Sequence, residues 1–123
     1  MLEWIFPIHK NQYELIKTGS KTIYTRIPDP DNEPIGYELI EKGHYIRFKL
    51  TIDNRLVNNR CHIRFIHHYD TVEELLTYEG VKPIFPTIDT IEEGVQKYYN
   101  FSEYIEKESK YGIYAIGLSY CDK

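Results

Sequence analysis

The stretch Gly19-Ser20-Lys21-Thr22-Ile23-Tyr24-Thr25-Arg26 decides how the rest of the chain reads. A short helical pattern ends just before it, with Lys17 suited to the last turn and Gly19 to the position just past the helix. Thr22 to Ile27 reads as a strand, whose side chains alternate between two faces. Ile23, Thr25 and Ile27 then point one way, and Thr22, Tyr24 and Arg26 the other, with Lys21 at the junction. One face packs inward. The other gathers a hydroxyl, a phenol and a guanidinium with an ammonium at its rim, a set that suits an anionic or nucleobase-bearing ligand. The plainer alternative is a half-buried strand whose polar face is simply solvated.

Working outward toward the amino terminus, Leu2, Trp4, Phe6 and Ile8 share one face of a strand. Asn11 with Glu14 is a capping-box pattern for the helix that runs to about Thr18. On the other side, Pro28, Pro30 and Pro34 alternate with Asp29, Asp31 and Glu33 in an acidic, extended loop, read as a connector beside the strand rather than a lid. Beyond Gly43, Ile46, Phe48, Leu50 and Ile52 alternate with Arg47, Lys49 and Thr51. A turn at Asp53-Asn54 leads to a returning strand with Cys61, Ile63 and Phe65 inward and Arg60, His62 and Arg64 outward. Paired as a hairpin, these two strands carry a cationic face.

Asp70 with Glu73, or Thr71 with Glu74, caps a helix with Val72, Leu75 and Leu76 on its buried stripe and Gly80 at its end. Residues 81–87 form a packed loop. A further helix starts near Asp89 or Thr90, with Ile91, Val95, Tyr98 and Tyr99 at helical spacing. Gly94 inside it predicts a close contact. Phe101, Tyr104 and Ile105 continue a helical turn, and Glu103, Glu106 and Glu108 with Lys107 and Lys110 form a solvated charged end. The apolar run Ile113–Tyr120 is a central strand. So many strands in 123 residues predict an α+β chain forming one domain over 1–123, a small, partly open mixed barrel flanked by short helices.

Composition narrows the function. Hydrophobic residues make up 41% and charged residues 28%, ordinary for a soluble globular protein. Tyrosine is in excess, at 12 of 123 residues, and is favoured at binding surfaces. The net charge of −4 disfavours non-specific nucleic-acid binding. Its distribution is uneven: residues 1–70 hold ten Lys/Arg against nine Asp/Glu, and residues 71–123 five against ten. The acidic half would face away from an anionic partner. Cys61 and Cys121 are far apart and in no metal-ligand spacing. With no signal-peptide pattern and no membrane-length apolar run, the expectation is a cytoplasmic protein with both thiols reduced and buried. His67 and His68 point to opposite sides of a strand, and His9, His44 and His62 are scattered, so no metal site and no cofactor is predicted. No glycine-rich phosphate loop and no Ser-His-Asp order occurs.

In order and spacing, several of these motifs resemble an ASCH domain, of the PUA-like superfamily, over about Ile5 to Leu118. They are the helix ending in Gly19-x-Lys21 with Arg26 five residues on, the strand start Gly43-His44-Tyr45-Ile46-Arg47-Phe48, the segment Glu92–Val95, and the final Tyr111-Gly112-Ile113-Tyr114-Ala115-Ile116. The resemblance, to a small stand-alone ASCH protein, implies a PUA-like β-barrel related to RNA-binding domains. It also implies a ligand cleft beside Gly19, Lys21 and Arg26. Tyr24 stands where the family commonly has Glu and where the related amidohydrolases acting on acetylated cytidine have a Thr nucleophile. A phenol, with a pKa near ~10, is a poor nucleophile at neutral pH. Some ASCH proteins resemble ribonucleases that use lysine and tyrosine, which implies such parts for Lys21 with Tyr24 or Tyr111. Two expectations follow. The first is a module binding RNA or a nucleotide-like small molecule through Lys21, Thr22, Tyr24 and Arg26, supported by Arg47, Lys49 and Arg64, with Glu79 a cleft acid and Tyr111 nearby. The alternative is a small hydrolase of a modified nucleoside or of RNA, with Lys21 and Tyr24 catalytic.

Overall fold

The computed structural model describes residues 2–100 and 102–120. Strand β1 (Glu3–Ile8) runs into helix α1 (Lys10–Lys17) and then strand β2 (Ile23–Arg26). After the proline-rich loop and one 3₁₀ turn at Tyr37–Leu39 come β3 (Tyr45–Leu50), β4 (Cys61–Tyr69), α2 (Val72–Glu79), α3 (Ile91–Tyr99), α4 (Ser102–Tyr111) and β5 (Ile113–Tyr120). The long carboxy-terminal helical region is thus two helices, α3 and α4.

Local chemistry sets most of the helix starts. Thr71 accepts the Glu74 N–H at the start of α2, and Thr90 the Glu93 N–H at the start of α3, each satisfying an orphan amide of the first turn. For α1 the expected cap is displaced. His9 sits at the N-cap, and the Asn11 carboxamide instead accepts the N–H of Gln12 at 2.9 Å. The charged end of α4 is not wholly solvated either. Glu108 is buried, where it accepts the Val72 N–H at 2.8 Å and the Tyr99 hydroxyl at 2.9 Å, so α4 satisfies the first amide of α2.

The five strands lie in the order β1-β3-β4-β5-β2, with β1 and β3 parallel and the other neighbours antiparallel. This is an open mixed sheet, so the partly open barrel expected is not confirmed as a barrel. No ladder joins the edge strands β1 and β2 in the sheet. Pro7, which has no N–H to donate, is at home on such an edge. What spans the gap is a side chain. The Tyr24 hydroxyl on β2 donates to the Pro7 carbonyl on β1 at 2.6 Å, and its ring lies 5.7 Å from that of Phe6 and 5.0 Å from that of Phe48.

Two apolar clusters pack on the sheet. Phe6, Ile16, Ile46, Phe48, Leu50, Ile63 and Ile116 form one with Tyr24; Val72, Leu75, Leu76, Ile84 and Ile113 form the other with Ile23. Successive residues of β2 therefore enter different clusters, and neither face of its start is solvated. Gly94 lets α3 approach α2: a Cβ there would lie 2.8 Å from a Leu76 methyl.

Two strand assignments differ from the alternation pattern. Strand β3 stops at Leu50, and Ile52 is 76% exposed in the following turn. The β3–β4 ladder is short, joining Tyr45 to His62 and Ile46 to Cys61 with a single further bridge from Lys49 to Leu56. In β4 the register against β5 shifts between Ile63 and Phe65, so Arg64 is an inserted bulge residue. Cys61 and Ile63 face the first cluster, but past the bulge Ile66 takes that side and Phe65 packs on the second. Phe65 lies across Gly117, where a Cβ would fall 2.1 Å from its ring. Gly117→Ala should therefore lower stability by about 1–3 kcal/mol through overpacking of a rigid ring. Urea denaturation of the variant and its parent measures this, with the m-value unchanged.

Candidate functional site

Gly19 closes α1 with φ +86°, a conformation that costs a side chain more than glycine. The amides of Thr18 and Gly19 donate to the carbonyls of Glu14 and Ile16, and the amide of Lys21 folds back to that of Leu15 at 3.0 Å. This reversal turns Lys21 inward onto the loop after α2. There the Pro83 carbonyl accepts the amides of Thr22 at 2.9 Å and Ile23 at 3.1 Å, and the Ile84 carbonyl accepts the Lys21 Nζ at 2.5 Å. The ammonium stands 5.6 Å from the centroid of the Phe85 ring. Lys21 is only 5% exposed, and burial pulls its pKa down to about 8. At neutral pH it is still mainly cationic, yet it gives up its proton far more readily than a surface lysine.

Further along β2, burial pushes the Tyr24 phenol above its ordinary pKa, with the nearby Arg26 cation opposing. Arg26 is ion-paired with Glu33 of the proline-rich loop. A second acid of that loop, Asp29, pairs with Lys107 of α4 at 2.6 Å and accepts from the Asn32 side chain at 2.9 Å. Thr25 shares a hydrogen bond with the Tyr98 hydroxyl.

These groups meet in the gap between the two sheet edges. A cleft of about 490 Å³ is lined by Lys21, Tyr24, Thr25 and Arg26 from the decisive stretch, by Pro7, Ile8 and His9 from the β1 side, and by Phe85, Lys97, Tyr98 and Tyr104. A smaller one of about 270 Å³ shares Thr25, Arg26, Tyr98 and Tyr104, and adds Asp29, Glu33 and Lys107. The structure thus brings the ammonium, the phenol and the guanidinium into one concavity.

The other residues singled out lie elsewhere. Thr22 pins the start of β2 through its backbone and lines neither cleft. Arg47 pairs with Glu3 and donates to the Val57 and Asn58 carbonyls, bracing the β1–β3 edge. Lys49 and Arg64 are exposed, and neither lines either cleft. Arg60, counted with that cationic face, lies over the Tyr45 ring at 3.9 Å. Glu79 accepts from the Tyr69 hydroxyl at 2.5 Å and bonds the His67 Nδ1 at 2.6 Å, tying α2 to β4. Tyr111 offers its backbone carbonyl to the His68 ring at 2.8 Å.

Thr25 was assigned to the inward face and escapes that assignment because β2 is an edge strand, open along its flank. Tyr98 and Tyr104 stand in the helical pattern of residues 91–105, which periodicity alone reads as core. Cys61 is buried, whereas Cys121 and Phe101 lie outside the described residues. Among the described residues no three His, Cys, Asp or Glu side chains converge as metal ligands, and no helix is long and apolar enough to cross a membrane.

No protein-family model and no curated protein matches the chain. Solved structures do. The crystal structure of hypothetical protein PH0355 is 29% identical and superposes with a TM-score of 0.78, covering 98% of this chain and 100% of its own. The solution structure of protein PF0455 from Pyrococcus furiosus is 30% identical with a TM-score of 0.69, covering 99% and 100%. The chain belongs to one family with that protein. A tyrosine-to-phenylalanine variant of the ASCH protein of Zymomonas mobilis is 15% identical with a TM-score of 0.59, covering 96% of this chain and 69% of its own. That likeness is one of fold, and the fold is ASCH-like.

The depressed Lys21 pKa has a measurable consequence. Its folded value of about 8 lies below the ordinary 10.5, so the unfolded chain holds this proton more tightly. The resulting cost to the fold is fully present below the folded pKa and is relieved as pH rises toward the unfolded one. From about pH 7 to about pH 9, the parent should therefore gain about 1 kcal/mol of stability relative to Lys21→Met. Chemical denaturation of both proteins across that range reads the difference directly.

Proposed function

We propose that this ASCH-like protein binds a nucleotide unit, free or at an unpaired position of an RNA, in the cleft between its sheet edges. One observation carries the reading: a buried ammonium, a guanidinium and the rings of Tyr24, Phe85, Tyr98 and Tyr104 line a single cavity of about 490 Å³. That volume falls inside the range of small-molecule sites, roughly 300–1,000 Å³. The aromatic walls offer a base a stacking surface, with Phe85 and Tyr98 edge-on at 5.5 Å and Tyr104 a further 6.4 Å from Tyr98. The cations give phosphate or carboxylate a partner, while Asp29 and Glu33 at the rim hold the local charge near balance. Such a site suits one or two phosphates better than a long polyanion. The exposed Lys49 and Arg64 lie outside it, which again favours a short ligand. A cytoplasmic setting fits such ligands.

A hydrolytic reading has one observation in its favour. Lys21, with a pKa of about 8, is suited to proton transfer near neutral pH. Tyr24 is a poor nucleophile here: its hydroxyl is given to the Pro7 carbonyl, and burial holds its proton more firmly. The better-placed hydroxyl is Thr25, which opens onto the cleft.

Titration of mononucleotides and of short single-stranded RNA at two salt concentrations tests the proposal. Binding should weaken with salt, and Lys21→Ala should reduce it about tenfold or more, roughly 1.4 kcal/mol. Absence of binding at low salt rejects it. Turnover of acetylated cytidine or labelled RNA that Lys21→Ala abolishes would establish the hydrolytic reading instead.

A further inference from the structure

Glu33 reaches Arg26 with one carboxylate oxygen on one terminal nitrogen, Nη2. That leaves the planar fork of the guanidinium incompletely used, although it is built for two-pronged contact with an oxyanion. Among the described residues, the Arg26 Nε is sealed from solvent and has no hydrogen-bond partner. The rest of the guanidinium faces the hydroxyls of Tyr37 and Tyr24. So one buried donor of the cation itself is left over, and the acid now on it does not satisfy it. Natively buried donors are rarely left this way.

The acid is also not fully buried. The Glu33 side chain keeps 30% of its surface exposed. The backbone hydrogen bonds of its loop run among the loop's own residues, from Asn32 and Glu33 to Asp29, and from Ile35 to Glu33. Its ties to the cleft are the two ion pairs, Glu33 on Arg26 and Asp29 on Lys107, both at the smaller cavity of about 270 Å³.

We infer that Arg26 is a phosphate position which the protein fills with its own Glu33 carboxylate, so that the loop of residues 28–36 competes with the ligand for the cleft. A phosphate group has the oxygens to meet Nη2 and Nε together; one carboxylate oxygen does not. Asp29 covers Lys107 in the same manner, so a diphosphate matches the pair of cations. This rests on reading the cleft as a ligand site and adds how that site is controlled: binding must expel the acidic loop.

Calorimetric titration of pyrophosphate into the parent, Glu33→Gln, Glu33→Asp and the double variant Arg26→Gln/Glu33→Gln tests it. Glu33→Gln should bind at least tenfold more tightly than the parent, Glu33→Asp should gain little, and the double variant should lose the gain. Equal binding by parent and Glu33→Gln, binding by neither, or an equal gain in Glu33→Asp overturns the inference. Should Glu33→Gln fail to fold by circular dichroism, Asp29→Asn takes its place, with a smaller gain expected and no gain counting against the proposal. Uridine, which has no phosphate, separates the two readings. If no variant binds uridine while pyrophosphate responds to Glu33, the nucleotide reading fails and the anion position stands. If uridine binds and pyrophosphate ignores Glu33, the cleft keeps its ligand and the competition is refuted.

Discussion

The hydroxyl of Tyr24 given to the carbonyl of Pro7 holds together two strands that never pair. Both lie at opposite ends of the sheet order, yet the sheet curls far enough to bring them within reach of one phenol. A backbone ladder at that seam would have sealed a barrel. A side-chain bridge leaves room beside it, and the cleft occupies that room. The ring contributes as much as the hydroxyl, since its edge-on contact with Phe48 places the bridge on the largest apolar cluster. Opening the seam would cost hydrogen bond and packing together.

The same constraint explains why a lysine can be buried beside it. The reversal at Gly19 leaves Lys21 no route outward, so its ammonium must find an acceptor inside. The loop after α2 supplies one at Ile84, next to the Pro83 carbonyl that serves two amides of β2. A neutral acceptor does not offset the loss of hydration as an acid would, and the depressed pKa records the difference. Burying a cation this way is costly, and its place in the cleft is consistent with chemistry that uses the charge.

Much of the fold was legible in the sequence because it follows from local rules. Thr71 and Thr90 announce their helices, Gly19 announces a reversal, and the apolar run Ile113–Tyr120 announces a strand between two others. What alternation cannot express is how many layers cover a strand. Alternation puts Tyr24 and Arg26 on one polar face, suited to a ligand or simply solvated, but Tyr24 sits in a core and Arg26 under a loop. The partner of Arg26 could not be chosen from composition, since several acids were within reach along the chain. The cationic face failed as a unit for a different reason. Arg47 and Arg60 are occupied by Glu3 and Tyr45, and only a three-dimensional arrangement shows a charge to be engaged. The tyrosines of α3 and α4 were visible, but helical spacing treats a cleft wall and a core alike.

The bulge at Arg64 lets β4 serve two masters, one apolar cluster before it and another after it. A strand of strict period would have presented Phe65 and Ile66 the other way round, with both rows facing the wrong neighbours. The inserted residue acts as a hinge in the pattern. Drift in the chain length on either side of it is therefore coupled: losing one residue here would demand that a whole half-strand exchange its apolar and polar positions. Among relatives of this protein, substitutions in β4 should be plentiful, and gaps within it scarce.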